Sequence, residues 1–214
     1  MFECVGESMP TETSGFRPAL GTELRAFAAA RIVQGALAAL ARQGLDATVD
    51  DVAAEAGVSR RTVFRHFATQ GELFCAAIDE VYRIYDQSLP EPPDAHVSLE
   101  SWLRQVVGTY HELNARFVGR AFWDIHVGRS GIAPEVGAAL EDITARRFEW
   151  SKEIAGHAWR KAGGKGRTPG WVTDAFALSL SAYASHAMAK DSPEAVGRAC
   201  TQILLAVLAA ALRR

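Results

Sequence analysis

A chain of 214 residues, 49% hydrophobic and 22% charged, has the make-up of a globular protein and length for one or two domains with a real core. Its formal net charge of −2 excludes a general polyanion binder, so any affinity for nucleic acid must be local. Cys4, Cys75 and Cys200 stand far apart with no CxxC pair, which excludes a disulfide framework and a zinc ribbon.

Residues 1–20 read as a flexible, slightly acidic arm. They have no basic stretch leading into an apolar run, as a secretory signal would, and Arg17 alone could reach a minor groove. High alanine content with few β-branched runs predicts an all-α fold. The first helix is expected from about Thr22 to Gln43, with Phe27, Ile32, Val33, Ala36, Leu37 and Leu40 as its apolar stripe and Gly44 as its stop.

The stretch TVDDVAAEAGVSRRTVFRHF, Thr48 to Phe67, holds two short helical patterns around a tight turn. Thr48 and Asp51 have capping-box spacing, and Val49, Val52, Ala53 and Ala56 share one face. Gly57 suits a helix exit, and Ser59 starts a second helix whose buried side is expected to be Val63, Phe64 and Phe67. Two helices joined by a short turn containing Gly form a helix-turn-helix. The outward side of the second helix carries Arg60, Arg61, Thr62, Arg65 and His66, residue types that read bases or bind phosphates in a major groove. Arg60 and Arg61 are the expected base readers, with Thr48 and His66 on the DNA backbone. An ordinary αα-hairpin with a solvated basic face is the plainer alternative.

With its flanks, Arg31-Ile32-Val33 with Ala36, Leu40 and Gly44 before it and FATQGELF after it, this region resembles the N-terminal domain of tetracycline-repressor-like (TetR) bacterial regulators over residues 24 to 80. The resemblance implies a DNA-binding domain at 21–68, with Ser59 and Gln70 added to the DNA-contacting set. It implies a connecting helix and linker at 69–95 and a ligand-binding and dimerisation domain at 96–214. Two departures stand out. Gln70 occupies a position where the family often has a phosphate-binding lysine, and Phe64 replaces a common tyrosine; fewer phosphate contacts mean a shallower salt dependence.

Pro90-Glu91-Pro92-Pro93 is the linker signal. Leu99, Trp102, Leu103, Val106, Tyr110, Leu113 and Phe117 then predict a core-facing helix, and Phe122, Trp123 and Ile125 a short segment. From Pro134, a helix to about Ala162 carries Val136, Leu140, Ile143, Arg147, Trp150 and Ile154 in one stripe, so Arg147 must pair with a carboxylate, Asp124 or Asp174, snorkel to the surface, or meet an acceptor on a ligand. The run from Gly163 to Gly170 is a loop without the spacing of a phosphate-binding motif. Two closing helices are expected near 171–189 and 193–213; the apolar run Ile203 to Leu208 is too short to span a bilayer.

The resemblance implies that the closing helices pair in a homodimer and that some of Trp102, Phe117, Phe122, Trp123, His126, Arg147 and Tyr183 line an effector cavity. The histidines His111, His126, His157 and His186 with Asp124 lack the i, i+4 spacing of a helical metal site, and no nucleophile elbow is present, so neither cofactor nor catalytic residues are expected. The reading is a cytoplasmic DNA-binding regulator, a repressor released from a double-stranded operator by a small molecule, with no membrane partner. Its rival is a helical small-molecule-binding protein or enzyme with a vestigial helix-turn-helix.

Overall fold

Helix formers and polar caps set the local structure, and the computed structural model, which describes residues 20–117, 131–188 and 192–213, is helical wherever it has regular structure. α1 (Leu20–Gln43) places Ile32, Ala36, Leu37, Ala39 and Leu40 out of solvent. Its stripe starts later than the pattern predicts. Phe27 is 70% exposed, because the first turns of α1 project past the helices that cover its later ones.

A single turn of 3₁₀ helix (Gly44–Asp46) leads into α2 (Val49–Ala56), and α3 (Arg60–His66) and α4 (Gln70–Ser88) follow. α1 and α2 approach so closely that a Cβ on Gly35 would meet Ala56 Cβ, Ala56 N and Val52 O, each at 2.9 Å. α4 adds Leu73, Phe74, Ala77, Ile78 and Val81 to this core. So do Val136, Leu140 and Ile143 of α6 (Pro134–Lys161), which reaches the N-terminal core across the intervening α5 (Leu99–Phe117).

The second core is built by α5, the later turns of α6, α7 (Gly170–Ser179), α8 (Ala182–Ala187) and α9 (Pro193–Leu212). α5 and α9 are its closest pair: a Cβ on Gly197 would lie 3.1 Å from Gly108 Cα. The helix expected over 171–189 is two helices, broken at Leu180 and Ser181. α9 and the α1 region are long and apolar enough, by length and composition, to cross a membrane; the six-residue run Ile203 to Leu208 understates α9, which carries Glu194 and Arg198 in its first turns and is apolar from Ile203 to Leu212. Both bury one face in the protein, with Ile32 and Leu204 fully covered, as core helices of a globular domain do.

Glycine-to-alanine exchange separates helix propensity from packing. Gly137 has open space around its Cβ position, so Gly137→Ala is expected to raise the thermal midpoint, with ~1 kcal/mol as the upper end of the propensity gain. Gly35→Ala gains the same propensity but must displace backbone, at a cost of ~1–3 kcal/mol. Thermal unfolding should therefore show a lower midpoint for Gly35→Ala.

Candidate nucleic-acid interface and interior cavity

Short-range caps build the helix-turn-helix. Thr48 and Asp51 form a reciprocal capping box: Thr48 N donates to Asp51 Oδ2 at 2.8 Å, and Asp51 N to Thr48 Oγ1 at 3.2 Å. The Thr48 hydroxyl, 2.5 Å from Asp51 Oδ2, holds the Asp51 carboxyl down at about 2, with help from the Gln43 side chain and the Thr48 amide. Gly57 leaves α2 at φ 62°, a conformation that only glycine adopts at little cost, and Val58 N closes the turn on Ala53 O at 3.0 Å. Ser59 Oγ accepts Thr62 N at 3.1 Å and lies 2.9 Å from Thr62 Oγ1, so both hydroxyls serve the start of α3.

Arg61 and Arg65 are exposed one turn apart on α3, and His66 is half-buried. Arg60 is already engaged. Its Nη1 donates to Asp50 Oδ2 at 2.8 Å, and its guanidinium carbon lies 5.4 Å from the centre of the Phe64 ring. Phe64 is a correction to the sequence reading: it is 41% exposed rather than buried, because α3 is only seven residues long and buries Val63 alone. An apolar ring thus joins the basic surface. Gln70 points elsewhere: its Nε2 donates to Ala47 O at 2.9 Å, tying α4 to the turn before α2. The cap of α4 escaped the sequence reading although its Thr-x-x-Glu spacing is visible: Glu72 N donates to Thr69 Oγ1 at 3.0 Å, and Ala68 N to Glu72 Oε2 at 2.7 Å.

A cavity of about 270 Å³ lies between the far end of α4, the linker after it, α5 and α6. Tyr82 and Tyr85 of α4, Tyr110 of α5 and Ile143, Arg147 and Trp150 of α6 form much of its wall. Tyr110 and Trp150 stack at 6.2 Å, and Tyr85 and Tyr110 meet at 5.6 Å between ring centres. Burial pushes the Tyr110 phenol up to about 12 and Tyr85 well above the usual 10, against the opposing pull of Arg147, so both are neutral. The linker wall is fixed in place: Trp102 Nε1 donates to Glu91 O at 2.9 Å, and Lys161 Nζ to Asp94 O at 2.6 Å.

Of the residues proposed from sequence to line a cavity, Arg147 does so. Trp102 is buried behind the linker, Phe117 packs beside the N-terminal core and Tyr183 is 55% exposed. Phe122, Trp123 and His126, with Asp124, lie outside the described residues. The lining residues the sequence missed come from four helices and a linker, with Ala182 of α8 among them, and no spacing in the chain announces that convergence.

The partner of Arg147 is a second correction: it is backbone. Arg147 Nη1 donates to Ala177 O at 2.9 Å and Leu180 O at 2.6 Å, where α7 ends. Between them, Leu178 O accepts Ser181 Oγ at 2.6 Å, and Ser179 O accepts His111 Nε2 at 3.0 Å. A carbonyl can only accept, so His111 carries its proton on Nε2, and Nδ1 receives Ser185 Oγ at 2.8 Å. Burial pushes His111 down to about 4, so it is neutral at pH 7, with both ring nitrogens engaged by Ser179 and Ser185. Among the described residues no group of three or more His, Cys, Asp or Glu side chains could hold a metal ion.

Comparison with known proteins agrees with this layout. The family described as bacterial regulatory proteins, tetR family, matches residues 32–77. The HTH-type transcriptional repressor SCO4008 of Streptomyces coelicolor is 27% identical over 149 residues, 69% of this chain and 68% of that protein. A tetR-family transcriptional regulator from Streptomyces coelicolor superposes with a TM-score of 0.59 at 18% identity, over 86% of this chain and 83% of the other. The transcriptional regulator FadR from Bacillus subtilis, solved in complex with stearoyl-CoA, gives 0.57 at 12% identity, over 82% and 96%.

The buried His111 makes stability depend on pH. Its folded value lies below the ~6.5 of an unfolded histidine, so its stabilising contribution is full above that value. It is lost as pH falls from there towards about 4. Between pH 7 and pH 5 the wild type should lose about 2 kcal/mol through this group. Urea unfolding at the two pH values measures it, and the loss should be smaller in His111→Gln.

Proposed function

We propose that this chain, which belongs to the tetR family of bacterial regulatory proteins, is a cytoplasmic repressor whose hold on an operator is released by a small molecule in the interior cavity. The observation that carries the reading is that α4 takes part in both sites. Its N-terminal end is bonded into the helix-turn-helix through Gln70 and Glu72, and Tyr82, Tyr85 and Asp86 near its other end line the cavity. From residue 70 to residue 85 is ~22 Å of continuous helix. A ligand that changes the position of Tyr85 therefore displaces the helix on which the DNA-reading unit is mounted. Its effect on DNA affinity equals its preference for one arrangement over the other.

In this reading α3 lies in the major groove, with Arg61 and Arg65 free to reach it. Arg60 exchanges Asp50 for a base or phosphate, and Phe64 offers an apolar contact of the kind that meets a thymine methyl. Thr48 and Ser59 act by holding the helix starts; Thr62 and His66 flank the basic face. Gln70 donates one amide hydrogen to Ala47 O and, being uncharged, cannot neutralise a phosphate. A homodimer is built on α7 and α9, which pack together and leave Trp171, Leu178, Ile203 and Leu212 exposed. Two recognition helices so joined would read half-sites about one helical turn apart.

The test is binding to chromosomal promoter fragments in excess random DNA. A sub-micromolar fragment that survives the competitor is expected; binding that random DNA abolishes would favour the vestigial alternative. On such a fragment, Arg61→Ala should cost ~1–3 kcal/mol and relax one operator position. Asp50→Asn frees Arg60 and removes a negative charge, so it should tighten binding by up to ~1 kcal/mol, less at high salt. Gel-shift titrations at two salt concentrations read both effects.

A further inference from the structure

The cavity wall holds three side chains with hydrogen-bond donors that the protein leaves unused. Tyr110 is only 3% exposed, and among the described residues nothing hydrogen-bonds to its hydroxyl or to that of Tyr85. Arg147 uses Nη1 for the two carbonyls of α7, while among the described residues its Nε and Nη2 have no partner. All three side chains line the cavity, so these donors are open to whatever occupies it. A phenol can donate or accept, but a guanidinium only donates, so the shared requirement of this cluster is an acceptor, best a charged one. Trp150 and Ile143 supply apolar wall beside it.

The rim has the opposite sign. Asp86, Glu91 and Glu153 line the cavity as exposed carboxylates. Exposed charges are screened by water and salt, so they tax an entering anion weakly, whereas a bond to a half-buried guanidinium is screened much less. The rim does discriminate against a second negative charge at the ligand's outer end. Together these features describe a ligand with one compact anionic head and an uncharged body.

We infer that the cavity takes a small monocarboxylate, its oxygens received by Arg147, Tyr85 and Tyr110 and its apolar body lying against Trp150 and Ile143. The inference rests on the regulatory reading above for its consequence. The guanidinium that would hold the carboxylate also caps the end of α7, so the ligand acts on the same side chain that fixes the α7–α8 break.

Calorimetric titration of the full-length protein with three probes of one shape tests it: 2-naphthoate, 2-naphthamide and 2-naphthylmethylammonium. The carboxylate should bind at least ten-fold more tightly than the amide, and the ammonium most weakly. Arg147→Met should erase the preference for carboxylate over amide and leave the amide unchanged. Because that variant also uncaps α7, the pair Tyr85→Phe and Tyr110→Phe carries the test should it not fold. Each should weaken the carboxylate about three- to ten-fold, with folding followed by circular dichroism. Tighter binding of the ammonium, no binding of any probe, or a carboxylate preference that survives all three substitutions would overturn the inference. Failure of the regulatory reading shows separately, as intact carboxylate selectivity in a protein that holds no DNA fragment against competitor.

Discussion

Where α7 stops, four successive carbonyl oxygens lose their helical partners, and such groups are costly to bury unpaired. Here each of the four, from Ala177 to Leu180, receives a side-chain donor: Arg147 twice, Ser181 once and His111 once. This network explains several features together. It places the break between α7 and α8, makes an arginine tolerable in the apolar stripe of α6, and keeps His111 neutral. It also sets a cation at the wall of the cavity without an ion pair among the described residues to silence it. Removing any one donor leaves at least one of these carbonyls without its side-chain partner, so the three side chains support a single network.

The same economy of parts links the two ends of the molecule. α4 and α6 both contribute to the N-terminal core, through Leu73 to Val81 and through Val136 to Ile143, and both line the cavity a few turns further on. A change of side-chain position in the cavity therefore meets two packed helices rather than a flexible hinge. Packed helices move as bodies, because close-packed cores resist gradual deformation. In the proposed function, this turns a small adjustment around Tyr85 and Arg147 into a different placement of α3.

How much of this was legible in the chain follows from how local each feature is. The helix-turn-helix is written in residues that act on their immediate neighbours: Thr48 on Asp51, Gly57 on the turn, Ser59 on Thr62. Its existence and bounds could be read directly. The exposure of Phe64 could not, since an i, i+1, i+4 pattern says nothing of whether another helix covers that side. The break at 180–181 lies in Ala-Leu-Ser-Leu-Ser-Ala-Tyr-Ala, which has neither Gly nor Pro; only the capping serine hints at it. Donors from two distant helices impose it. Arg147 was legible as a problem, a charge in an apolar stripe, but its solution was backbone rather than the carboxylates a pattern reader looks for. The cavity was least legible, because Tyr82, Tyr110 and Trp150 each belong to an ordinary apolar stripe of a separate helix.

In the proposed function, occupation of the cavity moves the recognition helices. Pulsed electron–electron resonance measures this directly, with a spin label at residue 65 of each protomer in a background lacking the native cysteines. Bound to an operator fragment, the dimer should give one narrow separation that corresponds to recognition helices about 34–36 Å apart. Saturating 2-naphthoate should replace it with a different separation as the DNA is released. A distribution that stays the same when calorimetry shows the cavity filled would contradict the account.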